Sequence, residues 1–142
     1  MTNKIIDQAR TWIGTEFIHQ GRSKKNEKYN GACDCIGLIV GVLKELDNPI
    51  YKYDVTNYSR LAVGKRLIEI MDNYFPEASE LEEGLIGVFK FNNLPQHVGF
   101  ISKLPDDRWG LIHCYQGANK VVEHELTKPW QNRLLKLYKV ID

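Results

Sequence analysis

Ile5, Ala9, Trp12 and Ile13 recur at helical spacing, so residues 2–13 read as an amphipathic helix that Gly14 stops. The piece Gly14-Thr15-Glu16-Phe17-Ile18-His19-Gln20-Gly21 then reads as extended chain ending in a turn. Residues 22–29 are basic and polar without a period, either a solvated surface loop or a clamp for an acidic substrate. The next apolar run is Ile36, Leu38, Ile39, Val40, Val42, Leu43 and Leu46. It predicts a buried helix over 34–46 that ends before Asn48-Pro49. Residues 50–58 have no clear period. Tyr51, Tyr53 and Tyr58 there either wall a binding groove or pack under the loop. Gly64, Leu67, Ile68, Met71, Tyr74 and Phe75 form one stripe, which predicts a third helix over 59–75, closed by Pro76.

After Gly84 the period changes. Residues 85–91, 98–102, 109–115, 120–126 and 134–141 are short and rich in β-branched and aromatic side chains. Turn-like breaks separate them at Asn92-Asn93-Leu94-Pro95, Pro105-Asp106-Asp107, Gly117-Ala118-Asn119 and Lys128-Pro129. Three helices followed by about five antiparallel strands predict an α+β fold, with the helices on one face of a meandering sheet. The 142 residues fit a single domain over 1–142.

Composition narrows the function classes. A net charge of +1 gives no global attraction to nucleic acid or an anionic membrane. No apolar run approaches the ~20 residues of a membrane-spanning helix. Residues 1–7 lack the apolar core of a signal peptide, so the expectation is synthesis in the cytoplasm and some other delivery route. Three cysteines, with Cys33 and Cys35 too close for an ordinary bridge, do not make a disulfide framework, and the thiols read as reduced.

Chemistry concentrates at Gly31-Ala32-Cys33-Asp34-Cys35-Ile36-Gly37-Leu38. Asp34 suits an N-cap, which puts Cys35 at the first helical position. The positive end of the helix dipole favours a thiolate there, so Cys35 is expected to ionise below the usual ~8.5. Gly37 and Gly41 share a helical face and predict that another backbone packs close. A nucleophilic thiol needs a base. His97 opens the second strand and His113 lies in the third; neighbouring strands would bring the imidazoles side by side as base and orienter. His19 either lines a cleft or is an ordinary surface histidine, and His124, between Glu123 and Glu125, reads as surface. Cys114 should face away from His113 by strand alternation. A zinc site from Cys33, Cys35, His97 and His113 is the chemical rival, but Cys-x-Cys with two distant histidines is not a standard zinc spacing.

Together these motifs resemble the NlpC-type cell-wall cysteine peptidases, which share a papain-like fold. Gly14-Thr15-Glu16-Phe17 resembles that family's Gly-Thr-Pro-Tyr entry to the site, and Cys33-Asp34-Cys35-Ile36-Gly37-Leu38 its Asp-Cys-x-Gly-Leu nucleophile motif. Gln96-His97-Val98-Gly99-Phe100 resembles the strand that carries the base, and Ile112-His113-Cys114-Tyr115 the strand with the third polar residue. His19-Gln20-Gly21-Arg22 and Pro129-Trp130-Gln131-Asn132-Arg133-Leu134 are similar to the short phage and gene-transfer-agent members. The resemblance implies hydrolysis of a peptidoglycan stem-peptide bond, commonly D-glutamyl–diamino acid. It implies Cys35 as nucleophile, His97 as base and His113 as orienter, with no cofactor and no metal. Phe17, His19, Asp34 and Tyr53 would meet the substrate. Phe17 stands where many members carry a Tyr hydroxyl near the sulfur. A phage-type tail or gene-transfer-agent particle would be the partner and would carry the enzyme to the cell wall. The alternatives are an acyltransferase or thioesterase on this fold, or a non-catalytic tail or assembly subunit.

Overall fold

Asn3 starts the first helix by accepting the N–H groups of Ile5 and Ile6 on its side-chain oxygen. In the computed structural model, which describes residues 3–53, 64–91 and 93–141, this helix is α1, Lys4–Arg10. It is shorter than the pattern predicts, because Trp12 and Ile13 continue it only as turns, bonded to the carbonyls of Ala9 and Arg10. Two short strands, β1 (Arg22–Ser23) and β2 (Ala32–Cys33), pair across the basic loop. Two of the cations in that loop are tied into the fold: Arg22 pairs with Asp34, and Lys24 with Glu45.

Helix α2, Cys35–Glu45, begins at Asp34 as predicted. Its two glycines make room for different things. A Cβ on Gly37 would overlap the carbonyl oxygen of Gly21, a backbone contact, while one on Gly41 would strike the indole of Trp12. The buried Trp12 is locked there by a 2.6 Å hydrogen bond from Nε1 to Glu45. Gly37→Ala is therefore expected to cost about 2–3 kcal/mol, since neither the helix nor the Gly21 backbone yields cheaply. The measure is the urea midpoint; an unchanged midpoint would mean that the turn at Gly21 is not seated on α2. The segment Pro49–Tyr53 forms a 3₁₀ turn in which Tyr51 packs against the core beneath Lys44, so this tyrosine is packing and not a groove wall. Tyr58 and the predicted start of the third helix lie outside the described residues. Helix α3 is Gly64–Tyr74.

The six-stranded sheet contains β3 (Glu77–Ala78), β4 (Ile86–Phe91), β5 (Leu94–Lys103), β6 (Trp109–Tyr115), β7 (Lys120–Glu125) and β8 (Leu134–Tyr138). All neighbours are antiparallel, in the order β3-β8-β4-β5-β6-β7. The α+β class stands, with three departures from the expected layout. The last strand returns beside β4 and not β7. Residues 14–17 already occupy the outer edge of β7: Gly14 N–H bonds Val121 O, Val121 N–H bonds Thr15 O, and Phe17 N–H bonds Asn119 O. Strand β5 starts four residues early, so His97 lies inside it. A fourth helix, α4 (Lys128–Arg133), forms where a turn was expected.

Helix α4 changes the layering. One face of the sheet, with Val88, Val98, Phe100, Ile112, Cys114 and Val121, joins the core that includes Ile6, Leu38, Val42 and Met71 of α1, α2 and α3. The other face, with Phe89, Ile101 and Leu111, is covered by a second cluster that includes Trp109 and Trp130. The sheet is thus buried on both sides, and residues 97–102 are buried without alternation. No helix among the described residues is long and apolar enough to cross a membrane.

Candidate active site

The start of α2 is held from several directions. Asp34 Oδ1 accepts the N–H of Gly37 at 2.8 Å and Arg22 Nη1 at 3.1 Å, and Oδ2 accepts the N–H of Gln20 at 2.8 Å. The carboxylate is buried, so these charge-assisted bonds fix both the helix end and the turn ahead of it. Cys35 follows as the first helical residue and keeps part of its surface open. The N–H groups of Ile36 and Val98 act on its sulfur only weakly, favouring the thiolate.

Val98 is the residue after His97. Its side chain faces the helices, and that of His97 leaves β5 on the opposite face, among Phe89, Phe91 and Trp130. His97 and Val98 thus point to opposite faces of β5, His97 towards α4 and Val98 towards the helices. A β-bulge interrupts the pairing of β4 with β5 between Phe89 and Lys90, directly opposite His97. Bulges raise local twist and re-aim side chains, and this one sits beside His97.

The two histidines expected to meet do so. His97 Nε2 and His113 Nδ1 are 2.7 Å apart. A Cβ on Gly99 would come within 2.9 Å of His113 Cβ, so the glycine in Gln96-His97-Val98-Gly99 leaves the space His113 uses. The row does not stop there. His113 Nε2 lies 2.8 Å from His124 Nε2, and His124 Nδ1 lies 2.7 Å from the carbonyl oxygen of Glu125. His113 stacks on Tyr115, and Trp130 of α4 sets its ring against all three imidazoles, nearly perpendicular to His113 at 4.8 Å. His124 is thus part of the site and not a surface residue. The missed signal was register: the β6–β7 hairpin pairs His113 with Val122 and Leu111 with His124, which places His113 and His124 on one face.

Burial sets the protonation states. His97 is 6% exposed and His113 fully enclosed; desolvation pushes the first down to about 3 and the second lower still, helped by the neighbouring imidazoles. Cys35 moves the opposite way from expectation. Burial, then the Asp34 charge, push its thiol up to about 12, against smaller opposing contributions from the N–H groups of Val98 and Ile36 and from Arg22. The helix start is present, but desolvation of the sulfur, and after it the Asp34 charge, outweigh its effect. At neutral pH the pair rests as thiol and neutral imidazole. Alkylation of Cys35 should therefore accelerate steadily from pH 7 to 10, while the fully buried Cys33 and Cys114 stay unlabelled in the folded protein. A labelling rate that levels off below pH 7 would refute this.

The remaining residues sort by position. Cys114 faces the helices, away from His113, with Sγ 3.2 Å from Cys33 O. Cys33 lies on that same face and His97 and His113 on the other, so the rival zinc set is not gathered, and no cluster of three metal-ligating side chains occurs among the described residues. Phe17 is half-buried beside Cys33, and His19 sits in the turn before Gly21. Tyr53 ends the 3₁₀ turn.

No protein-family model matches the chain, and no curated protein matches it. Among solved structures it is similar to an N-acetylmuramoyl-L-alanine amidase from Bacteroides uniformis ATCC 8492. The TM-score is 0.57 at 12% sequence identity, covering 96% of this chain and 98% of that one. A likeness at this identity shows a shared fold.

Proposed function

We propose that the chain is a peptidoglycan-directed cysteine peptidase, with Cys35 as nucleophile, His97 as general base and His113 as its orienter. The observation that carries this reading is a partly open thiol at a helix start in the same small fold as an imidazole whose Nε2 is held 2.7 Å from a second imidazole. Nδ1 of His97 is then the nitrogen left to accept the thiol proton. Because both groups rest neutral, the proton moves as the sulfur attacks, and no preformed ion pair is involved. The S–C bond forms while the carbonyl electrons move onto oxygen. The N–H of Cys35, in the first turn and without an intrahelical acceptor, is aimed to stabilise that oxyanion. The His97 imidazolium protonates the leaving amine, and a water molecule activated by the same ring hydrolyses the thioester.

Phe17 cannot donate a hydrogen bond, so it contributes only apolar surface, and His19 is the polar group on the same segment. Phe17, His19 and Tyr53 are assigned to the substrate. Asp34 is not, because its buried oxygens are engaged by Gly37, Arg22 and Gln20. Two things support peptidoglycan as the substrate class: the motif resemblance, and a fold shared with a protein described as an N-acetylmuramoyl-L-alanine amidase. The motifs favour the D-glutamyl–diamino acid bond, and delivery by a phage-type particle belongs to the same reading.

The test is incubation with purified wall fragments and identification of the products by mass. A new amino terminus on the diamino acid is expected. A product cut between muramic acid and L-alanine would move the assignment to an amidase, a transferred acyl group to a transferase, and intact fragments to a non-catalytic subunit.

A further inference from the structure

The row of imidazoles ends on a group whose role is unambiguous. A carbonyl oxygen only accepts, so His124 Nδ1, 2.7 Å from Glu125 O, carries a hydrogen. A neutral imidazole has one N–H, which leaves His124 Nε2 as an acceptor. His113 Nε2, 2.8 Å away, must then donate, and its own Nδ1 is left bare. His97 Nε2, 2.7 Å from that Nδ1, donates in turn, and His97 Nδ1 is left bare. One backbone carbonyl thereby sets the proton position on three rings.

We propose that His124 is a positioning residue: held in its Nδ1–H form by the Glu125 carbonyl, it fixes the protons of His113 and His97 so that His97 offers an unprotonated Nδ1 for the thiol. This rests on the catalytic reading of Cys35 and His97 only for its consequence; the proton order itself follows from the three distances. The opposite order needs a second proton on His124. His97 would then carry its hydrogen on Nδ1 and could not take the thiol proton there. The surroundings favour the first order. Leu111 and Val122 flank the row from β6 and β7, and Trp130 closes it from α4. Arg10 engages Glu123 and Arg108 engages Glu125, so the carboxylates on either side of His124 are bonded to guanidinium groups. Trp130, from the late Pro129-Trp130-Gln131-Asn132-Arg133-Leu134 stretch, thus covers the row of histidines.

Long-range proton–nitrogen correlation spectra of the ¹⁵N-labelled full-length protein at pH 7.5 report each ring's tautomer directly. His124 is expected as Nδ1–H, and His113 and His97 as Nε2–H. His124→Phe fills the space but accepts nothing; it should leave His97 as a mixture of tautomers and lower kcat on the order of tenfold with KM unchanged, the scale of one lost hydrogen bond. His124→Gln, whose amide oxygen can accept from His113, should restore both the single tautomer and most of the rate. An Nδ1–H signature on His113 or His97 in the unaltered protein overturns the proposal. So does a His97 tautomer that His124→Phe leaves unchanged. If the unaltered protein shows the expected tautomers yet cleaves no wall fragment, the catalytic reading fails and the proton order stands.

Discussion

Cys35→Ala is expected to remove all measurable turnover of a D-glutamyl stem peptide while leaving the urea midpoint nearly unchanged. The loss should be on the order of 10⁶ in kcat, because a nucleophile and its base act as one unit. The fold survives because the side chain is small and only partly buried. His97→Ala should be nearly as severe. His113→Ala should cost less, on the order of 10², since His97 keeps its accepting nitrogen and loses only orientation. Adding His113→Ala to His97→Ala should change little, because an orienter has nothing left to orient. His113→Asn should retain more activity than His113→Ala, since an amide oxygen can accept from His97. Single-turnover cleavage by each variant, with folding checked in parallel, decides the roles. Wild-type turnover in His113→Ala would reassign the orienter, and any turnover in Cys35→Ala would end the cysteine-peptidase reading.

Acid should destabilise the protein well before its carboxylates titrate. His97 and His113 are buried in neutral form, with folded values far below the unfolded value of 6.5. Below pH 6.5 the unfolded chain binds protons that the folded chain refuses, so the stability contributed by neutral burial is complete above pH 6.5 and is lost as pH falls towards 3. At pH 5 the loss is about 2 kcal/mol per histidine and about 4 kcal/mol for the pair. The carboxylates held low in the fold, such as Glu45, begin to matter only below their ordinary range near 4.5, so the two windows separate. Urea unfolding at pH 7.5 and pH 5 measures the difference, and His97→Leu should remove about half of it. Equal midpoints at the two pH values would show that the two imidazoles are open to solvent.

Neutral histidines and a raised thiol describe one design. A thiolate–imidazolium pair would need two charges in a site closed by Trp130 on one side and by the helix layer on the other, with Asp34 already negative beside the sulfur. The structure instead keeps charge out of the resting site. When His97 receives a proton, its Nε2–H already points at His113, and a hydrogen bond from a charged donor is stronger than the one it replaces. In the proposed reaction the positive charge is then stabilised when it forms, which is when stabilisation lowers the barrier.

Local pattern carried a large part of this molecule. Helical spacing and an N-cap placed α2 and put Cys35 at its first position, because capping and amphipathicity act within a few residues. Short runs rich in β-branched and aromatic side chains located the main strands, and alternation put Cys114 on the helix face and His113 on the other. The meander from β4 to β7 was also legible, but what lies at its two edges and on its second face was decided by the fold. Residues 14–17 capture the edge of β7, so β8 must return to β4, and α4 then covers the second face. That cover buries the histidine row, which lowers the basicity of His97. The register of one hairpin brings in His124, and burial of the Cys35 sulfur, with the Asp34 charge second, raises the thiol that the helix start alone would have lowered. Capping and periodicity are nearest-neighbour effects that can be read along a chain; strand order and desolvation depend on the whole packed structure, because they are set by residues far away in sequence.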